Sequence, residues 1–175
     1  DFNGRTTRFD YDDNNRLVTK TPDVSFVGTA PHTFTYTPTG QRLTMADGTG
    51  VTSYGRDNLD RVTSMTTPRG IMTFTYDDNS NLTRAYSNRT NGYDMTYRHD
   101  ELNRITEAED VGARITSYTF DDVGNLASFE YPNGAKHEYT YNTLNRLTNL
   151  GVTRAGSPIF TYGYTLGPAG NRLQI

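Results

Sequence analysis

The side chains best suited to chemistry in this sequence are its carboxylates, carboxamides and histidines. Asp10-x-Asp12-x-Asn14 and Asp77-x-Asn79-x-Asn81 begin like the oxygen-rich loops that hold calcium. Neither continues with the glycine and the twelfth-position glutamate such a loop requires, since Thr21 and Asn88 stand at that position. His32, His99 and His137 are isolated and make no metal-ligand spacing. Cysteine is absent, which removes thiol catalysis, cysteine zinc sites and disulfides. No serine-nucleophile elbow, phosphate-binding loop or dinucleotide fingerprint occurs. Repeated aspartates could supply an acid–base pair. Their recurrence argues otherwise, because a residue present in five of eight repeats serves the fold. We therefore expect no enzyme activity, catalytic residue, metal or cofactor.

The elements that carry these residues recur about every 21 residues. A dipeptide of Arg or Asn before an aliphatic residue appears as Arg16-Leu17, Arg42-Leu43, Arg61-Val62, Asn81-Leu82, Arg104-Ile105, Asn125-Leu126, Arg146-Leu147 and Arg172-Leu173. Upstream of each lies an aromatic residue: Phe9, Phe34, Tyr54, Phe74, Tyr97, Tyr118, Tyr139 and Tyr162. Two residues further on stand Tyr11, Tyr36, Arg56, Tyr76, His99, Phe120, Tyr141 and Tyr164. The next position holds Asp12, Thr37, Asp57, Asp77, Asp100, Asp121, Asn142 and Thr165. These slots define one array over residues 1–175 with repeat cores near 9–17, 34–43, 54–62, 74–82, 97–105, 118–126, 139–147 and 162–173, and no separate catalytic domain.

Each slot has a physical meaning. Aromatic-x-aromatic is period-two patterning, so both rings leave one face of a strand and the intervening Thr35, Thr75, Thr119 or Thr140 leaves the other. Aspartate ends the strand by accepting backbone N–H bonds in a turn. Asn15, Asn103, Gly124, Asn145 and Asn171 tolerate left-handed backbone just before the Arg/Asn slot. A second strand starts at the aliphatic residue and ends at Asp47-Gly48, Pro68-Arg69-Gly70, Asn91-Gly92 or Pro132-Asn133-Gly134. The pattern predicts an all-β array of about eight β-hairpins, a curved, open antiparallel meander or spiral sheet of fourteen to sixteen strands. Leu102, Ile105 and Ala108 have helical spacing in isolation, but the repeat register overrides that window and predicts strand.

Composition narrows the partners. Leu, Ile, Val and Phe make up only 32 of 175 residues, whereas Tyr alone numbers 13, so the core is thin and rich in tyrosine. A net charge of −3 offers no basic field for nucleic acid. No apolar run reaches membrane-spanning length, and no charged-then-apolar start leads us to expect a signal peptide in these residues. Fifteen of the 17 basic residues are Arg, whose planar fork stacks on rings, which points to structural roles. Stacked repeats would align the charges into an acidic flank and a basic flank. Asn81-Leu82-Thr83 and Asn88-Arg89-Thr90 are formal glycosylation sequons that matter only in a eukaryotic secretory pathway.

Tyr11-Asp12-Asp13-Asn14-Asn15-Arg16-Leu17, Tyr76-Asp77-Asp78-Asn79-Ser80-Asn81-Leu82 and Gly170-Asn171-Arg172-Leu173 resemble the signature of the YD-repeat (Rhs-repeat) family. That family includes bacterial Rhs toxins, shell subunits of insecticidal toxin complexes, wall-associated proteins and teneurins. The resemblance implies hairpins wound into a spiral sheet that, in long members, closes as a shell around a toxic C-terminal segment. It also implies a bacterial secreted or cell-surface location. The chain has no Asp-Pro dipeptide and nothing similar to the family's self-cleaving core, so it reads either as a fragment of a longer array or as a small member with another use.

Two functions stay open. One is a structural module whose partners are the remainder of a longer array and a toxin cargo. The other is a carbohydrate-binding or adhesion module that stacks glycans on exposed aromatic ladders. Buried rings favour the first and accessible rings the second. Neither terminal stretch, around Arg8–Asp12 or Arg172–Ile175, carries Lys or Pro to protect a strand edge, so self-association through open edges is expected as well.

Overall fold

Alternation of Thr with aromatic residues produces strands, and the Asp-initiated turns reverse them, throughout a computed structural model that describes residues 4–26 and 28–174. The first strands are β1 (Arg8–Tyr11), β2 (Leu17–Thr21), β3 (His32–Tyr36), β4 (Arg42–Asp47), β5 (Gly50–Arg56), β6 (Val62–Thr67), β7 (Gly70–Tyr76) and β8 (Leu82–Ser87). They are followed by β9 (Asp94–His99), β10 (Ile105–Asp110), β11 (Ile115–Phe120), β12 (Leu126–Glu130), β13 (Ala135–Tyr141), β14 (Leu147–Arg154) and β15 (Ser157–Gly163). A short pair, β16 (Thr165–Leu166) and β17 (Arg172–Gln174), completes the chain. Strands β1 to β15 form one antiparallel sheet in sequential order without a crossover, and β16 pairs β17 separately. No helix occurs among the described residues, so none is long and apolar enough to cross a membrane. The segment with helical spacing, Asp100–Glu109, is a turn leading into β10, as the repeat register predicts.

By contacts the residues fall into two compact bodies: those up to Thr75 with Arg84–Tyr93, and Tyr76–Thr83 with those from Asp94 onward. In the first body Phe34 faces Met45, Tyr54 faces Met65, and Met65 faces Met72. On the opposite face lie Thr35 against Thr44 and Ser53 against Thr66. In the second body Tyr118 and His137 flank Phe129, and Tyr139 and Tyr162 flank Leu150, while Thr119 and Glu138 flank Ser128 on the other face. One face of each body is thus aromatic and aliphatic, and the other is hydroxylated and charged. The core is shallow: among the described residues the buried apolar ones are Ala85, Ala108 and Val152, and no large side chain is completely enclosed.

Two repeats differ from the sequence register. In the second, the turn closes from Thr37 to Gln41, with Gly40 in the left-handed region at φ 86°. Gln41 therefore takes the Arg/Asn slot, and Arg42 stands opposite Tyr36 where other repeats place an aliphatic residue. In the eighth, the turn closes from Gly167 to Asn171, with Gly170 left-handed at φ 83°. Asn171 fills the slot, Arg172 faces Leu166, and the aspartate position falls to Gly167 rather than Thr165. The two upstream ring positions consequently move from Tyr162 and Tyr164 to Tyr164 and Leu166. The Arg-aliphatic dipeptide misplaces both repeats because turn closure, not dipeptide identity, sets the register. The last strand of the large sheet is β15, and Arg172–Gln174 belongs to the separate pair; Ile175 lies outside the described residues.

Candidate functional site: a ladder of aspartate turns

The most regular chemistry lies where the first strand of each repeat turns into the second. Asp12 shows the pattern. Its Oδ1 accepts the backbone N–H of Asn14 and Arg16 at 3.0 and 2.9 Å, and its Oδ2 accepts Arg16 Nε at 2.7 Å. The Asp12 N–H donates to the Arg16 carbonyl and the Asn15 N–H to the Asp12 carbonyl, closing a five-residue turn. Asn15 completes it at φ 58°. Asp57 with Arg61 and Asp100 with Arg104 repeat the arrangement with the same 2.7 Å side-chain bond. Asp77 and Asp121 make it with an amide instead, accepting Asn81 Nδ2 and Asn125 Nδ2 at 2.9 Å.

These bonds keep the carboxylates ionised. Backbone N–H donation from Arg16 and Arg104 holds Asp12 and Asp100 below the ordinary carboxylate range, and the Asn81 and Asn125 side chains do so for Asp77 and Asp121. At Asp57 burial pushes upward, but the combined Arg61 bonds outweigh it. Acid and base therefore meet within the turns of Asp12, Asp57 and Asp100. The expected separation into an acidic flank and a basic flank does not occur, because every Arg in this slot that follows an Asp is paired with it at four residues' distance.

A further turn of the same kind escapes the repeat pattern. Asp110 accepts the N–H groups of Gly112 and Arg114 and pairs with Arg114 Nη2 at 2.5 Å, with Ala113 at φ 55°. It joins β10 to β11, a connection between repeats rather than within one. The signal was present: Arg114-Ile115 is also an Arg-aliphatic dipeptide four residues after an Asp.

Consecutive repeats are fastened at this same edge. The hydroxyl of Tyr36 donates to the Leu17 carbonyl of the preceding repeat at 2.7 Å, and Tyr141 donates to Leu126 at 2.9 Å. Arg56, the anomalous occupant of the second aromatic slot, reaches the equivalent Arg42 carbonyl through Nη2 at 3.3 Å. It replaces the phenol as a donor, which explains why a cation is accepted there. Arg16 lies 4.9 Å over the Tyr36 ring and Arg104 4.3 Å over Phe120, so the slot arginines cover rings of the following repeat. Arg42 over Phe34 and Arg172 over Tyr164 stack within their own repeats.

The remaining ring positions serve packing. Phe129 stacks on His137 at 4.4 Å and touches Tyr118, Tyr131 and Tyr139. Phe9, Tyr11, Leu43, Ile105, Tyr162 and Leu173 are exposed, whereas Phe34, Tyr54, Phe74, Tyr76, Tyr97, Val62, Leu82 and Leu147 are half-buried. A groove of about 560 Å³ in the second body is lined by Asp121, Asn125, Tyr139, Tyr141, Asn142 and Asn145. Its amide and carboxylate groups are largely committed to turn bonds. Among the described residues no group of three His, Asp or Glu could hold a metal ion.

Comparison with known proteins gives the same architecture. The crystal structure of TcdB2-TccC3 without its hypervariable C-terminal region superposes with a TM-score of 0.77 at 15% identity, over 95% of this chain and 10% of that one. A second crystal structure of TcdB2-TccC3 gives 0.54 at 13% identity, over 92% and 12%. The chain thus spans about a tenth of the length of these structures, and at such identity the likeness is one of fold. No curated protein matches. The family model of the teneurin YD-shell, however, matches residues 40–166, almost three-quarters of a chain whose turns and rings recur as described, and the chain belongs to that family.

Proposed function

We propose that this chain is a length of wall in a YD-repeat shell, a non-enzymatic structural module that helps to enclose or present a toxin or another C-terminal domain. One observation carries this reading: the residues that recur are spent on closing each repeat's turn and on joining that repeat to its neighbours. The aspartates, the slot residues and the second-ring donors all find partners within the array. The partners in this reading are further repeats, paired edge to edge, and the segment they surround. The location that follows is secreted or at the cell surface of a bacterium.

Carbohydrate binding is the weaker reading. A sugar site needs free polar groups beside a ring, and the groove beside Tyr139 and Tyr141 has its amides engaged in turns. The test is to express the complete reading frame that contains this array, image it by electron microscopy and digest it with protease. Expected is a closed wall that protects a non-repeat segment until the wall is unfolded. An array with nothing enclosed, together with millimolar or tighter binding on a glycan panel, would reverse the order of the two readings.

A further inference from the structure

The residue before the Arg/Asn slot is left-handed in all eight turns: Asn15, Gly40, Asp60, Ser80, Asn103, Gly124, Asn145 and Gly170, at φ 57° to 95°. Backbone conformation therefore does not choose among them, since Asn and Asp enter this region readily and Gly freely. The choice follows the slot residue one repeat earlier. Arg16, Arg104 and Arg146 are succeeded by Gly40, Gly124 and Gly170, and Arg61 by Ser80. The shorter Asn81 and Asn125 are succeeded by Asn103 and Asn145, and Gln41 by Asp60.

Contacts in the second body give the reason. Asn81 Nδ2 donates to Asn103 Oδ1 at 2.7 Å, and Asn125 Nδ2 donates to Asn145 Oδ1 at 3.2 Å. Each amide thereby bridges its own aspartate and the next turn. Where the slot holds Arg, the guanidinium occupies that space. A Cβ placed on Gly170 would stand 3.0 Å from Arg146 Cζ and 3.1 Å from its Nε, and one on Gly124 would stand 3.7 Å from Arg104 Nη1. Arg146 then uses Nη1 to reach the Pro168 carbonyl at 3.1 Å, and Arg16 Nη1 reaches the Thr37 carbonyl, one turn position earlier, at 3.3 Å. At Gly124 the 3.7 Å separation is ordinary van der Waals contact, and at Gly40 a Cβ would meet nothing within 4 Å, so the steric demand falls on Gly170.

We propose that these two positions form a matched pair through which one repeat selects the next. A slot arginine takes a successor with glycine or serine at the left-handed position. A slot amide takes a successor whose Asn or Asp oxygen accepts its bond. The surface involved is the turn edge, its partner is the following repeat of the same array, and the pair decides which repeats can be neighbours. The pairing concerns how repeats join, so it stands whether or not the finished wall encloses anything.

A double-mutant cycle in the full chain tests this. Asn125→Arg preserves the turn, since Arg beside Asp121 reproduces Arg104 beside Asp100, but sets the guanidinium against Asn145. It should lower the thermal midpoint by about 3 °C or more. Asn145→Gly loses one exposed bond while easing the backbone, and should shift the midpoint by less than about 2 °C. The double variant recreates the Arg104–Gly124 arrangement and should return to within about 1 °C of the parent. The reverse exchange, Gly170→Asn alone and then with Arg146→Asn, should show the same loss and recovery. If Asn125→Arg alone does not fold, a folded double variant is the expected rescue. Additive effects at either pair, or a double variant that also fails to fold, would overturn the matching rule.

Discussion

The aromatic face and the turn edge of this sheet are built on opposite principles. On the face, rings and methyl groups lie against one another, yet among the described apolar residues only Ala85, Ala108 and Val152 are buried from solvent. At the edge, the slot side chains are half-buried, and their polar atoms have partners at 2.7 to 3.0 Å with a geometry copied from repeat to repeat. Apolar contact is non-directional and supplies most of the free energy. Hydrogen bonds contribute little net energy each but fix geometry. The face therefore holds the sheet together, and the edge sets its register. A repeat can exchange Tyr for Phe, or Phe for Met, on the face, while its turn keeps a closing N–H bond and a left-handed residue throughout.

The sharpest way to break this division is to charge the face. Val152 is 4% exposed and lies between His137 and Phe160. Val152→Asp should cost more than about 3 kcal/mol, since it buries a carboxylate beside Phe160 with only the His137 imidazole, already stacked on Phe129, to meet it. Urea denaturation followed by tyrosine fluorescence would measure it. Next comes Phe129→Ala, which empties the space among Tyr118, Tyr131, His137 and Tyr139 and should cost about 3 kcal/mol. If both changes are milder than the loss of a turn aspartate, the edge and not the face carries the stability.

The edge is best probed with acid and with Asp100→Ala. Folding lowers the pKa of Asp12, Asp57, Asp77, Asp100 and Asp121 from 3.8. The stability linked to those carboxylates is fully present above 3.8 and is lost as pH falls through their lower folded values. The turns should thus survive mild acid, with the denaturation midpoint level from neutral pH to about 4 and declining below it. Asp100→Ala should lower the midpoint less than Phe129→Ala does, and should flatten part of the acid decline. A decline that begins above pH 5, or one untouched by the substitution, would show that other groups control it.

Legibility in the sequence follows the same division. The strands, the ring face and the turn aspartates were readable because each is a local pattern multiplied by repetition. Reading failed where a local word contradicted turn closure. Arg42-Leu43 and Arg172-Leu173 matched the dipeptide, yet Gly40 and Gly170 place the slot at Gln41 and Asn171. Arg114-Ile115 matches it too, yet its turn falls outside the 21-residue spacing because it joins two repeats instead of lying inside one. Arg56 breaks the ring pattern locally, and its reason, a bond to the Arg42 carbonyl of the preceding repeat, lies in the fold rather than in the word. The matching between slots and left-handed positions was written in the sequence but had no meaning without knowing that successive turns touch.

The smallest effects compare the two principles at one residue. The Tyr141 ring belongs to the face, opposite Leu147, whereas its hydroxyl belongs to the edge and donates to the Leu126 carbonyl at 2.9 Å. Tyr141→Phe removes only the second role. Burial holds the phenol above its ordinary pKa, so it is neutral and acts as a donor at all physiological pH values. Its deletion should cost about 1 kcal/mol, the usual net value of one hydrogen bond, with the ring contacts unchanged. Thr140 is the control: it is exposed on the hydroxylated face and shares its Oγ1 with Thr148 at 3.4 Å. Thr140→Val should change stability by less than about 0.5 kcal/mol. Hydrogen exchange adds a local readout, because the loss of the Tyr141 bond should raise exchange around β12 and the following turn more than the global change accounts for. Equal costs for Tyr141→Phe and Thr140→Val, with no local increase in exchange, would mean that the hydroxyl does not fasten one repeat to the next.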